Sequence, residues 1–288
     1  PAKRIYHCFG CGKGGNVFTF LMEIAHLSFP EAIEKCAHEA GVSLPKYSLN
    51  HSPEKTAKTL ETKEKKKLFY RINKAALLFF EAQLKKDKKA QAFLTSRGIS
   101  PPIIAHYHLG YAPDQWDLLL KFFKSKGVSP EPLLDMGLIN QKESSKSYYD
   151  RFRHRIIFPL FDLSQRVLGF GGRVLDPATL PKYLNSSESS IYNKSQELYG
   201  LSTAVQAISK MGAIIVEGYF DCLTLHQAGF KQAVATMGTA LTPKHIENLK
   251  RFTDHFFILF DHDEAGFNAS ERSLTLFLEA GIFPKIID

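Results

Sequence analysis

No apolar run in this chain approaches the roughly 18 residues that a membrane-spanning helix needs, so no segment is a candidate for one. A signal-peptide pattern is missing as well. The chain opens on Pro1 rather than methionine, and a piece of a longer protein is the expectation. Cysteine is scarce: Cys8 and Cys11 form a C-x-x-C, while Cys36 and Cys222 stand apart. That spacing does not make a disulfide framework and points to a reducing cytoplasm. Acidic residues are in deficit, 29 against 37 Lys and Arg, giving a net charge of +8 and a pI near 9.2. The imbalance favours an anionic partner, with nucleic acid ahead of a membrane surface. The 44% hydrophobic content of the 288 residues is ordinary for a globular protein, enough for one large core or two modest ones.

Residues 5–12, I-Y-H-C-F-G-C-G, read as a strand and knuckle in which two thiolates meet one ion across a tight turn. The second half of such a zinc site is lacking. Cys36 and His38 lie two apart on a segment, 29–41, that reads as a helix ended by glycine, so they face different ways and chelate poorly. Cys36 is expected in the core. A redox role for the C-x-x-C lacks the following βαβ unit. Residues 46–67 are charged and nearly free of aromatics, the texture of a solvated linker. From Leu68 an apolar stripe (Leu68, Ile72, Ala75, Ala76, Phe79, Phe80, Leu84) predicts a helix, the first of a helical region reaching to about residue 140.

At Tyr149 the pattern becomes period-two. Arg151, Arg153 and Arg155 alternate with Phe152, His154 and Ile156, which would put three guanidiniums on one strand face. Residues 166–173 read as the hairpin partner, with Gly171 and Gly172 clearing space beside Arg173 for a backbone to approach. Lys182 and Lys194 follow in loops rich in amides and aromatics. A solvated basic edge is one reading. The other is a surface for a single-stranded polynucleotide, with phosphates on the cations and bases stacked on rings.

From Met211 strands and helices alternate regularly, predicting a parallel sheet with helices on its faces. Residues 256–266, F-F-I-L-F-D-H-D-E-A-G, hold a buried strand running into Asp261 and Asp263. Alone, that D-x-D is either a polar turn or half of a cation site. Glu217 ends an earlier strand, 213–216, at the equivalent carboxyl end, so three carboxylates converge on one crevice. Residues 237–239 end the intervening strand at the same rim, where backbone amides could face a phosphate.

These residues resemble the bacterial DnaG-type DNA primases. E-G-Y-F-D at 217–221 with D-H-D-E-A-G at 261–266 is similar to the TOPRIM signature, and the segments 151–159, 169–173, 181–186, 198–201 and 6–12 are similar to primase-specific motifs. The resemblance implies an α/β chain, α+β overall. Its parts are a zinc-ribbon end (1–45), a linker (46–67), a polymerase N-terminal part of helices then basic strands (68–200), and a Rossmann-like TOPRIM sheet with helices on both faces (201–288). It implies Glu217, Asp261 and Asp263 as catalytic and Mg²⁺- or Mn²⁺-binding residues, with Asp221 as a further acidic position. Cys8 and Cys11 would be two of four Zn²⁺ ligands, the others preceding Pro1. Arg151, Arg153, Arg155, Arg173, Lys182 and Lys194 would contact template and nucleotide. His262 stands where the family often has glycine. The implied activity is synthesis of RNA primers from ribonucleoside triphosphates on single-stranded DNA at the replication fork, and the implied partner is a replicative helicase reached through a C-terminal domain beyond this chain. The alternatives are another TOPRIM enzyme (a topoisomerase or nuclease) or an inert single-strand-binding remnant; a type IA topoisomerase needs a nucleophilic tyrosine, for which Tyr219 is badly placed.

Overall fold

Alternating side chains on two sets of short strands decide the architecture. The computed structural model describes residues 5–10, 14–25, 27, 29–42, 53–176, 178–261 and 263–287, excepting the side chains of 53–61 and 265. Cys11 and His262, singled out above, lie outside the described residues, as does the 46–52 part of the expected linker. The chain divides into two compact parts, Pro1–Leu60 and Glu61–Asp288.

In the first part, β1 (Tyr6–His7) pairs antiparallel with β2 (Gly14–Gly15), followed by α1 (Val17–Ala25) and α2 (Phe29–Glu39). The Asn16 side chain accepts from the amides of Phe18 and Thr19, each at 3.0 Å, and so starts α1. Cys8 follows β1 and is exposed. On α2, Cys36 is half-buried and His38 exposed.

Helix α3 runs Pro53–Lys86, so the 53–67 part of the expected linker is helical although its charged sequence carries no apolar stripe. Lys, Glu and Ala are good helix formers, and composition alone does not separate a solvated helix from a solvated coil. Next come α4 (Lys88–Ser96), α5 (Pro101–His106), β3 (Gly110–Ala112), α6 (Leu118–Lys124), α7 (Pro130–Asp135), β4 (Ile139–Gln141) and β5 (Tyr148–Asp150). The region expected to be wholly helical therefore contains strands. β3 joins an antiparallel sheet of order β3-β6-β7-β8, with β6 Arg155–Phe161, β7 Val167–Val174 and β8 Tyr183–Asn185. β4 and β5 form their own hairpin. Buried Asn73 ties α3 to this sheet, its amide nitrogen donating to the carbonyls of Val167 at 3.1 Å and Leu168 at 2.9 Å. Gly110 is needed because a Cβ there would lie 2.5 Å from Phe80.

An unforeseen helix, α8 (Leu201–Met211), leads into β9 (Ala213–Val216), α9 (Tyr219–Gln227), β10 (Ala233–Ala235), α10 (Pro243–Lys250), β11 (Phe256–Ile258), α11 (Glu264–Glu279) and β12 (Lys285–Ile286). Their strands form the expected parallel sheet, order β10-β9-β11-β12. Ile214 and Val216 join a core that runs through the antiparallel sheet and α3, whereas Ala213 and Ile215 join a second core with Ile208, Leu249 and Phe277. The parallel sheet is covered on both faces, and one cover is the antiparallel part.

Candidate active site

The carboxylates sit at the ends of β9 and β11, which are hydrogen-bonded neighbours. Glu217, half-buried, follows β9 directly, and its Oε1 accepts the backbone N–H of Asp261 at 3.4 Å. Asp263 caps α11, Oδ1 accepting from the Gly266 amide at 2.8 Å. Glycine is needed at 266 because a Cβ there would stand 2.0 Å from the Asp261 carbonyl oxygen. The turn reading of D-x-D holds, since one Asp263 oxygen builds the turn, while Asp261 stays exposed. Asp221, on the first turn of α9, accepts from the Gly218 amide at 2.9 Å through Oδ2. Partial burial raises the Glu217 pKa, the Asp261 N–H opposes it, and the charges of Asp261, Asp263 and Asp221 raise it further. Asp221 is raised too, by desolvation first and also by the charge of Asp261. The carboxylates feel one another across a crevice, yet among the described residues no three are closed into a ligand cluster. Hard, mutually repelling oxygens are the donor set that a divalent cation satisfies.

Two hollows meet at Phe260. One, of 660 Å³, is bordered by Asp261, Asp263, Phe267, Leu274 and Ile286. The other, of 260 Å³, reaches from Glu217 past Thr236 and Thr239 to Arg272 and Ser273 on α11. Backbone amides at this rim are mostly engaged: Gly238 donates to the Glu217 carbonyl at 3.3 Å and Thr239 to that of Thr236 at 3.4 Å. The expectation that they face a phosphate is corrected accordingly.

The basic residues do not share one strand face. β6 begins only at Arg155, and His154 has a φ of 51°, so 151–154 is not extended strand. Arg155 is 5% exposed and latches three carbonyls, Pro181 at 2.8 Å, Lys182 at 3.3 Å and Gly172 at 3.4 Å. Burial, with the charges of Arg153, Arg173 and Arg151, lowers its pKa to about 10. Arg173, 2% exposed, donates to the Val174 carbonyl at 2.6 Å and lies 5.3 Å from the Tyr183 ring. Gly171 and Gly172 make room for side chains rather than a backbone: a Cβ at 171 would lie 2.1 Å from the Tyr219 hydroxyl, and one at 172 would lie 2.8 Å from Phe152. Arg153 donates to the Asp150 carbonyl and covers the exposed Trp116 ring at 4.3 Å. Lys182 is exposed, beside Tyr183 at 5.9 Å. Lys194 is half-buried, its pKa lowered by burial and then by the charge of Arg151. Arg151 and Lys194 are therefore neighbours of like charge, an arrangement that an anion relieves.

Asn185 joins the two sheets, and sequence reasoning did not single it out. Its Oδ1 accepts from the Tyr219 hydroxyl at 2.6 Å, Nδ2 donates to the Met237 carbonyl at 3.1 Å, and its own carbonyl accepts from Arg151 Nε at 3.0 Å. Tyr219, 1% exposed, also stacks on Phe158 with centroids 4.6 Å apart. Such burial denies Tyr219 a nucleophile's access. No spacing rule links positions 151, 185, 219 and 237; only the tertiary fold brings them together.

Family models match three stretches: a CHC2 zinc finger over 1–52, the N-terminal domain of the DNA primase catalytic core over 79–205, and a Toprim-like module over 214–288. A DNA primase of Clostridium acetobutylicum is 43% identical over 285 residues, covering 99% of this chain and 46% of the relative. The chain thus spans just under half the length of that curated relative. The crystal structure of the Aquifex aeolicus primase zinc-binding and RNA polymerase domains matches at 34% identity, covering all of this chain and 67% of that one, with a TM-score of 0.71. A DnaG primase catalytic domain bound to single-stranded DNA matches at 36% identity over 77% of this chain and 73% of that one, with a TM-score of 0.70. Among the described residues, no helix is long and apolar enough to cross a membrane.

Proposed function

Because this chain belongs to the DnaG-type primase family, we propose that it carries the acidic centre and part of the template surface of a DNA primase, which joins ribonucleotides into a primer on single-stranded DNA. The observation that carries this reading is Glu217, Asp261 and Asp263 at the adjacent ends of β9 and β11, where partial burial and then the charges of the two aspartates raise the proton affinity of Glu217. The attacking 3′-hydroxyl oxygen bonds to the α-phosphorus of the incoming nucleotide. The bond from that phosphorus to the bridging oxygen breaks, and pyrophosphate leaves with the electron pair. Asp261 and Asp263 would hold a divalent cation, Mg²⁺ or Mn²⁺, which when bound offsets charge on the phosphates. Glu217 either shares that cation or accepts the hydroxyl proton at a carboxylate oxygen, and its raised pKa favours the second role. Asp221, tied to Gly218, positions the turn between them.

Arg151 and Lys194, with exposed Lys182, form the anion-facing side, while Arg153 over Trp116 and Tyr149 offers a cation–aromatic surface for unstacked bases. Arg155 and Arg173 hold the sheet that presents them. Cys8, with Cys11, would supply two ligands of the zinc finger. The replicative helicase is the partner that the resemblance implies for the whole protein, and its place is the cytoplasm at the fork.

The test is incorporation of labelled ribonucleotides on a single-stranded template with Mg²⁺. Replacing Asp261 by Ala should abolish incorporation while leaving template binding in place. Equal incorporation by the variant removes the site assignment. Template binding without any incorporation by the unmodified chain identifies a binding remnant, and strand cleavage identifies a different TOPRIM chemistry.

A further inference from the structure

A separate hollow of 300 Å³ opens between α3, α4 and α5, and it shares no lining residue with the two that meet at Phe260. The local sequence leaves it open. Asp87 parts α3 from α4, its side chain accepting from the Ala90 amide at 2.8 Å. Gly98, with a φ of 74°, ends α4, and Pro101-Pro102 start α5. The hollow has an aliphatic floor: Leu84 and Leu109 are 4% and 2% exposed, with half-buried Ile104 beside them. Exposed Pro101 and Ala105 stand in its wall, and no aromatic ring is among the described residues that line it.

Its rim is basic. Residues 85–89 read K-K-D-K-K, and Asp87 is occupied as the cap of α4. The four lysines are exposed and make no ion pair or hydrogen bond among the described residues. Lys85 lines the hollow. Lys88 lies three and seven residues before Gln91 and Thr95, which also line it, so it stands on the same face of α4. Glu81, the acid of the lining, is engaged with His108 Nδ1 at 2.8 Å.

Cations around an aliphatic hollow differ from the surface at Trp116, where Arg153 lies over a ring. Nucleic acid is gripped by cations together with rings on which bases stack, and here the rings are missing. An aliphatic floor takes an apolar group, and unpaired ammonium groups beside it take carboxylate oxygens. The volume sits at the lower edge of the roughly 300–1,000 Å³ of ligand clefts, room for one or two apolar side chains. We propose that this hollow is a docking site for an acidic peptide segment of a partner protein. The segment seats one large apolar side chain on Leu84, Ile104 and Leu109 and sets its neighbouring carboxylates against Lys85 and Lys88. The site uses none of the residues assigned to primer synthesis and stands apart from that activity.

The test is fluorescence anisotropy of the 288-residue chain with a set of fluorescein-labelled heptapeptides. Each carries one Leu, Ile, Met, Phe or Trp at its centre and Asp or Glu on both sides; counterparts carry Ser at the centre, or Lys in place of the acids. Peptides with an acidic frame and an apolar centre should bind, and their serine counterparts about tenfold more weakly. Ala105→Trp, which fills the hollow from an exposed position, should weaken binding by about tenfold or more. Its melting temperature and its ribonucleotide incorporation should stay those of the parent. Lys85→Glu combined with Lys88→Glu should lose the acidic peptide about tenfold and gain the lysine counterpart, a reversal that misfolding cannot produce. Absence of binding by every peptide with acidic flanks and an apolar centre, or equal binding by Ala105→Trp, overturns the site. Binding that survives serine at the centre and is displaced by single-stranded oligothymidylate marks a cation surface for nucleic acid and overturns it as well.

Discussion

The parallel and antiparallel sheets both carry clustered charge, and they treat it in opposite ways. At the rim of the parallel sheet, Asp261 stands exposed and Glu217 shares only a long contact with a backbone amide. In the antiparallel sheet, Arg155 and Arg173 are buried and spent on main-chain carbonyls. Charge that the fold has both buried and paired builds the fold, and charge that it leaves at least partly open to solvent can meet a ligand. The difference is invisible in composition, where all of these residues count alike.

The largest effect should come from breaking a paired charge. Arg155→Ala leaves three carbonyls without their donor and should cost about 3 kcal/mol of stability, read as a lower melting temperature. If that variant melts like the parent and loses only DNA affinity, Arg155 belongs with the ligand-facing charges and the contrast collapses. Lys182→Ala and Lys194→Ala should behave the other way, leaving the melting temperature unchanged. Each should reduce the slope of log affinity against log salt by about 0.7 for single-stranded DNA.

A smaller effect distinguishes burial from charge crowding. Glu197 sits in neither cluster, and burial, then the charge of Asp162, lifts its pKa from the ordinary 4.5 to about 7. A carboxyl whose folded pKa is raised favours folding while protonated, and that contribution is lost as pH climbs from 4.5 through 7. Glu197→Gln should therefore match the parent near pH 4.5 and exceed it by on the order of 1 kcal/mol at pH 8 in chemical denaturation. A constant difference across that range contradicts the assignment.

Legibility in the sequence follows the same division. The parallel sheet was readable because apolar strands such as 213–216 are punctuated by glycines and helices, and because Glu217 and Asp261 end strands of one hand. Strand β3 was not: three residues beginning with Gly110 carry too little period to register, and the strand exists because Phe80 and β6 surround it. The 53–67 helix was missed because its stripe of apolar residues starts only at Leu68. The alternation of 151–155 suggested a strand that the left-handed backbone at His154 interrupts. Asn185 depended on contacts across the fold, which no local pattern carries. For the acids, position along the chain was enough to place them at neighbouring strand ends; for the arginines, only their partners show which are spent on the fold.

Thermal melting of the parent and of Asp261→Asn, each with and without Mg²⁺, tests the contrast most directly. Unpaired acids held for a ligand predict that Mg²⁺ stabilises the parent and leaves the variant unmoved, and that without Mg²⁺ the variant melts no lower than the parent, because one repelling charge is gone. A variant that melts lower without Mg²⁺, or that gains as much from it as the parent does, would show that Asp261 serves the fold and contradict the account.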